Sequence, residues 1–297
     1  MSWGCAPIPV RFFRAASFCA TFVLGATTLA ADDNMPLWER VAFASDVVVG
    51  SFIDKVPSRN EWTESQKQNG LLRTLRVNTT LKGQTKPGER THVHIVDYMS
   101  DEPFRLLISS ENVLLFLQKE VLLDESRTEY RLINPRDFGV AAGSAQMQAE
   151  VAVHVREQRR VLADYLKWSA SLRAALPGKL ADLGDRLLNP KTREGAVADI
   201  FALPESDLWV LIVLIDDRRQ FIDTLVFLGP DGSRASHFMT RPEQLVELFC
   251  QAMNRRLGLS YINMRSCVTD EKRQFAVNAW RIYLHHRFVK GEKSWQP

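Results

Sequence analysis

Apolar and polar positions along this chain fall into two regimes. From Asp46 to Asn134 they form short runs divided by turn residues, and from Gln146 onward they recur with helical spacing. In the first regime Asp46 to Ile53 is rich in valine, and Leu71 to Leu81 is a longer run closed by Lys82-Gly83 and then Pro87-Gly88. Thr91 to Asp97 alternates, and Asn112 to Gln118 and Thr128 to Ile133 complete a set of five predicted strands. The alternation sets Thr91, Val93 and Ile95 on one face of the third strand and His92 and His94 on the other. A short helix over Pro36 to Ser45 is expected ahead of them, because Leu37, Val41 and Ala44 share a helical face and proline suits a first turn. The polar stretch Ser58 to Gly70 reads as a mobile loop.

In the second regime, Val151, Val155, Leu162, Leu166 and Leu172 predict one long helix over Gln146 to Ala175, stopped at Pro177-Gly178. Shorter helices follow over Leu180 to Leu188, Lys191 to Ala202 and Ser206 to Asp216, and two more over Gln244 to Leu257 and Asp270 to His286. Between them, Asp223 to Leu228 and the turn Gly229-Pro230-Asp231-Gly232 suggest a β-hairpin. The expected fold class is therefore α+β: a five-stranded N-terminal part over residues 32–140, a C-terminal helical array over 141–290, and a tail over 291–297.

The order of a helix, "ASDVVVGSFIDKV", "LRVNTTLKGQTKPGE" and "NVLLFLQKE" resembles the N-terminal module of many exported bacterial proteins. Those modules are similar to the OB-like barrel of the tissue inhibitors of metalloproteinases, so the resemblance implies that the five strands close into an antiparallel OB-like β-barrel. Such inhibitors insert an N-terminal cysteine into their target, and no cysteine lies near the mature start expected here, so inhibition by that route is not implied. In the second half, "LLNPKTREGAVADIFALPESDLWVLIVLIDD" resembles a HEAT-type repeat, with its turn at Asn189-Pro190 and small residues Gly195, Ala196 and Ala198.

The opening segment changes the picture. Arg11 and Arg14 precede an uncharged run from Ala15 to Ala31, and Asp32 and Asp33 follow at once, the three-part layout of a secretory signal peptide over residues 1–31. A membrane anchor needs about 20 mainly apolar residues, and this run is diluted by Ser17, Thr21, Gly25, Thr27 and Thr28. Export to the periplasm or the medium is expected. Taking Arg11 and Arg14 from the 38 basic residues leaves 36 against 35 acids, a balance that gives no general attraction to nucleic acid or anionic lipid. Of 4 cysteines, Cys5 and Cys19 leave with the signal, and Cys250 and Cys267 are expected to form a disulfide.

Candidate chemistry is sparse. His92 and His94 share one strand face at a spacing that can chelate a transition metal, given a third ligand. Asp216 and Asp217, followed by Arg218 and Arg219, read as a solvated helix end. Arg156, Arg159 and Arg160 read as a solvated helix face, Trp209 and Trp280 as core anchors, and His285 and His286 as diverging helix-end cations. Ser233, Ser236 and His237 lie near Asp231 without a nucleophile elbow. Nucleotide-loop, dinucleotide and zinc-protease signatures are missing from the sequence, and no cofactor is expected. The expected function is an exported, non-catalytic binding or scaffold protein of the bacterial envelope with a protein partner. The alternatives are a secreted hydrolase or metal-dependent enzyme using His92, His94, Asp231 and His237, and a periplasmic inhibitor or immunity-type protein acting through Ser58 to Gly70.

Overall fold

The computed structural model of the protein describes residues 35–109, 111–121, 128–133, 139–221, 226–227, 239–257, 262, 264 and 268–294. The five expected strands are present close to their expected bounds: β1 (Asp46–Phe52), β2 (Leu71–Lys82), β3 (Arg90–Ile95), β4 (Val113–Val121) and β5 (Thr128–Leu132). They are paired in the order β1-β2-β3-β5-β4, and β4 returns to β1, so the sheet closes into a barrel. The α+β class holds, with one difference from the expected antiparallel barrel. β3 and β5 run parallel, with His92 opposite Glu129 and His94 opposite Arg131. The cause is α3 (Asp101–Ser109), which separates β3 from β4 so that the two are not a hairpin. β4 instead pairs antiparallel with β1, and β5, antiparallel to β4, comes to lie parallel beside β3. A short β6 (Val140–Ala142) pairs with the first residues of β4.

Burial explains why some strands alternate and others do not. The inner faces of Leu75, Val77, Val93, Ile95, Leu115, Leu117 and Leu132 fill the barrel together with Val48. Phe104 and Leu107 of α3 join the same cluster, as does Trp62, whose ring meets Phe104 at 5.9 Å. In β1 and β4 the other face is covered too: Val47, Val49, Leu114 and Phe116 belong to the apolar core formed by the helices. Strands buried on both sides read as unbroken apolar runs, which is the character of "DVVVG" and "VLLFL". β3, with one covered face, alternates.

α1 (Leu37–Phe43) lies where the two cores meet. The Phe43 ring meets Trp280 edge-on at 5.1 Å, and Arg40 stacks over Phe116 at 4.3 Å while donating to the Val140 carbonyl at 3.1 Å. Across from it are α4 (Ala145–Ala163), capped by Ser144, and α12 (Asp270–Leu284), capped by Thr269. The long helix expected over 146–175 is divided at Asp164 and Ser169 into α4, α5 (Tyr165–Trp168) and α6 (Ala170–Ala174). The remaining helices are α7 (Gly178–Ala181), α8 (Leu183–Leu188), α9 (Arg193–Ala202), α10 (Trp209–Val213) and α11 (Leu245–Arg256). β7 (Val226–Phe227) and β8 (Met239–Thr240) pair antiparallel, and the turn expected between them lies outside the described residues.

The stretch Ser58 to Gly70 is not the loop expected. It holds a 3-10 turn, Arg59–Glu61, and α2 (Glu64–Asn69), each opened by a reciprocal capping box: Ser58 with Glu61, and Thr63 with Gln66. Arg59 anchors it to α3, pairing with Asp101 at 2.8 Å and lying over the Phe104 ring at 4.6 Å.

One polar junction joins α1, β1 and β2. The Asp46 carboxylate, nearly buried, accepts from the Gln84 amide at 2.9 Å, the Thr85 amide at 3.2 Å and the Ser45 hydroxyl at 3.0 Å. Gly83 between them has φ +104, and a Cβ there would overlap Asp46 Oδ1. Lys82 is half-buried as a residue with its ammonium enclosed, donating to the Val41 carbonyl at 2.5 Å at the end of α1. Asp46→Ala would strip one buried and one partly buried amide of their acceptor and is expected to lower the unfolding free energy by about 1–3 kcal/mol in urea titrations. Gly83→Ala is expected to cost about 1–3 kcal/mol from its backbone conformation, plus the overlap with the carboxylate. In the double variant the overlap is gone, so the combined loss should fall short of the sum; additive losses would refute this geometry.

Candidate functional site

His92 and His94 sit side by side on the outer face of β3, as the alternation requires, and both are half-buried. His94 is already engaged: its Nε2 donates to the Asn69 carbonyl at 2.6 Å, where α2 ends against the barrel. Among the described residues no group of three His, Cys, Asp or Glu side chains is placed to hold a metal ion. Asp231, Ser233, Ser236 and His237 lie outside the described residues, so no relation between them and the two histidines is established.

His92 opens instead into a cleft of about 300 Å³ shared with Gln84, Thr85, Arg90, Lys119 and Tyr130. Burial holds the Tyr130 phenol far above its ordinary range, and the Asp46, Glu89 and Glu271 charges push the same way, so it stays a neutral hydroxyl. Lys119 is held by Glu271 of α12 at 3.2 Å.

A larger cleft of about 510 Å³ lies between the end of β1 and α3. Phe52, Val56 and Leu107 form part of its wall, and Asp54, Lys55, Asn78, Glu111 and Asn112 give it a polar rim. Asn78 Nδ2 donates to Asn112 Oδ1 at 2.8 Å, tying β2 to the start of β4. Ile108, which also lines this cleft, is 40% exposed, and Ile53 beside Phe52 is 41% exposed. Exposed branched aliphatics on the rim of a cleft favour contact with another molecule over solvent.

The other sequence-predicted residues have structural partners. Asp216 pairs with Arg218 at 2.9 Å and with Arg281 at 2.8 Å, and Asp217 pairs with Arg219 at 2.6 Å; Arg219 also reaches Asp185 of α8. This is a cross-helix charge network, where the sequence suggested a simple solvated turn. Arg156, Arg159 and Arg160 are exposed on α4. Trp280 is fully buried and Trp209 packs against the same core. Cys250 is buried on α11, its Sγ accepting from Trp280 Nε1 at 3.1 Å; as a thiol it is pushed up to about 12 by burial. Cys267 lies outside the described residues. His285 and His286 do not diverge into solvent as expected, because the chain there forms a π turn, His285–Val289, and His286 is 1% exposed.

One buried ion pair was not foreseen. Arg273 of α12 reaches Glu247 of α11 at 2.8 Å, with Glu243 at 2.6 Å and Asp270 at 2.8 Å around it. Its sequence signal was weak, since charges on otherwise apolar helices read as solvated faces.

No protein-family model, curated protein or solved structure matches the chain.

Because His94 Nε2 is spent on a backbone carbonyl, added Zn2+ is expected to leave the thermal midpoint unchanged. His94→Leu is expected to cost about 1 kcal/mol through that lost bond alone. A zinc-dependent rise in midpoint that His94→Leu abolishes would establish the metal site instead.

Proposed function

We propose that this protein is an exported, non-catalytic binding protein of the bacterial envelope, and that the cleft between β1 and α3 is where its protein partner docks. The observation that carries the reading is the combination in one place of an open cleft of about 510 Å³, apolar side chains in its wall and an exposed isoleucine, Ile108. A cleft of mixed lining, mostly polar with Phe52, Leu107 and Ile108 beside it, suits a short protein segment, because its polar groups can meet those of a backbone while a side chain packs on the apolar residues. Export is supported by the layout of residues 1–33, and a barrel carrying a helix between β3 and β4 supports the OB-like module. The HEAT-type reading of the second half rests on α8 and α9, joined at Asn189-Pro190. A Cys250–Cys267 disulfide belongs to the same proposal. Gln251 donates to the Met264 carbonyl at 3.1 Å and Asn254 to the Ile262 carbonyl at 2.8 Å, so successive residues of the returning chain step back along α11 in the direction of Cys250.

The test is site-specific photo-cross-linking in the intact envelope, with the reactive group at Ile108 and, as control, at Val153 on α4, which is 51% exposed. One protein adduct at Ile108, missing at Val153 and lost in an Asn112→Arg background, is the expected result. Equal adducts at both positions, or none at Ile108, would refute docking at this cleft.

A further inference from the structure

Three of the chain's 6 histidines gather far from the barrel cleft, where the C-terminal segment closes over α1 and α4. His286 lies flat on the Trp38 ring of α1, with centroids 4.5 Å apart and planes within 3°. Its Nδ1 hydrogen-bonds Glu292 Oε2 at 2.8 Å. His285 meets the Trp168 ring of α5 at 5.1 Å. From α4, His154 stands 3.7 Å from Glu157, and Lys290 bridges Glu157 and Glu292. Also from α4, Gln158 donates to the Trp38 carbonyl at 2.8 Å. From α1, Glu39 is buried and acts on Tyr283, while Arg40 turns away to Phe116. Arg287 on the same turn pairs with Glu205 at 3.3 Å.

Backbone bonds fold the segment back on itself. The Lys290 and Glu292 amides donate to the His285 and His286 carbonyls, each at 2.9 Å, and Ser294 meets the Tyr283 hydroxyl at 3.0 Å. Gly291, with φ +70, turns the chain back on itself. Against these stand four buried polar atoms without a hydrogen-bond partner: His154 Nδ1, His285 Nδ1, His286 Nε2 and Gln158 Oε1. A proton added at His285 Nδ1 would create a buried cationic N–H without an acceptor in place, and one added at His154 Nδ1, 3.7 Å from Glu157, would compete with Lys290 for that carboxylate.

We propose that the segment from His285 to Ser294 is an acid-released latch: proton uptake by His154 and His285 detaches it from α1 and α4 and uncovers the Trp38 and Trp168 rings. Such a device suits a protein outside the cytoplasm, where the pH is not buffered by the cell. Burial depresses His154, opposed by Glu157, and burial with the His286 charge depresses His285. Groups whose folded values are depressed take up protons first in the open state. The closed state is therefore fully favoured above the ordinary imidazole value of about 6.5 and loses its advantage as the pH falls below it.

The experiment is hydrogen exchange of the purified protein at about pH 7.5 and about pH 5.5, corrected for the intrinsic pH dependence of exchange and read by mass spectrometry. The peptide holding Lys290 and Glu292 is expected to lose protection about tenfold more than peptides from β1 and β4. His154→Gln with His285→Gln, neutral at both pH values, is expected to abolish that difference. Lys290→Met, which removes the tie to Glu157 without touching an imidazole, should leave the tail weakly protected at both. Equal losses in tail and barrel would overturn the latch, as would a pH response that survives both glutamine substitutions. Should the double variant fail to fold, His285→Gln alone must reduce the response, and an unchanged response would overturn the proposal in the same way.

Discussion

The structure depends on how Asp46 and Lys82 tie the end of α1 to the barrel. Each is a charged side chain taken out of water, which is costly unless its hydrogen-bonding capacity is met. Asp46 meets that cost with backbone amides of the turn after β2 and the Ser45 hydroxyl. Lys82 meets it with the last carbonyls of α1, which no residue of that helix could satisfy. Burial lowers the Lys82 ammonium to about 7, with Asp46 opposing, so near neutral pH a good part of this population is an uncharged amine. That reduces the cost of keeping it enclosed.

Fixing α1 in this way has consequences on both sides. The helix presents Val41 and Phe43 to the outer faces of β1 and β4, and Trp38 to α4 and the C-terminal segment. Barrel and helices thereby share one apolar core, with Phe43 against Trp280 at its centre. The described residues accordingly form one compact unit. The barrel keeps a second core of its own, closed by Trp62 and Phe104. The β1–α3 cleft borders that second core, while the histidine cluster borders the first, so the two surfaces rest on different packing.

The strands were legible in the sequence because their residues face either one core or two, and both situations leave a pattern: alternation in β3, unbroken apolar runs in β1 and β4. The main helices were legible for the same reason. Ser58 to Gly70 was misread because α2 has no buried residue to create a periodic signal. Its capping signature was nonetheless present in Ser58-x-x-Glu61 and Thr63-x-x-Gln66. The parallel β3–β5 pair leaves no local pattern because it joins strands distant in sequence, and α3 is a short helix set between two stronger strand patterns. At the sites the same logic holds. The shared face of His92 and His94 followed from period-two geometry, whereas His94 bonding to Asn69 depended on where α2 ends. His286 was misplaced because ideal α spacing was assumed through a π turn.

α1, packed into the core shared by barrel and helices, is the element through which the two unfold together. Native-state hydrogen exchange under increasing denaturant tests this directly. It predicts that amides of Val47 to Val49 in β1, Val41 to Phe43 in α1 and Val277 to Trp280 in α12 converge on one opening free energy, and that Lys82→Met separates α1 from the strands. Barrel and helix amides that follow two distinct isotherms in the unmodified protein would contradict it.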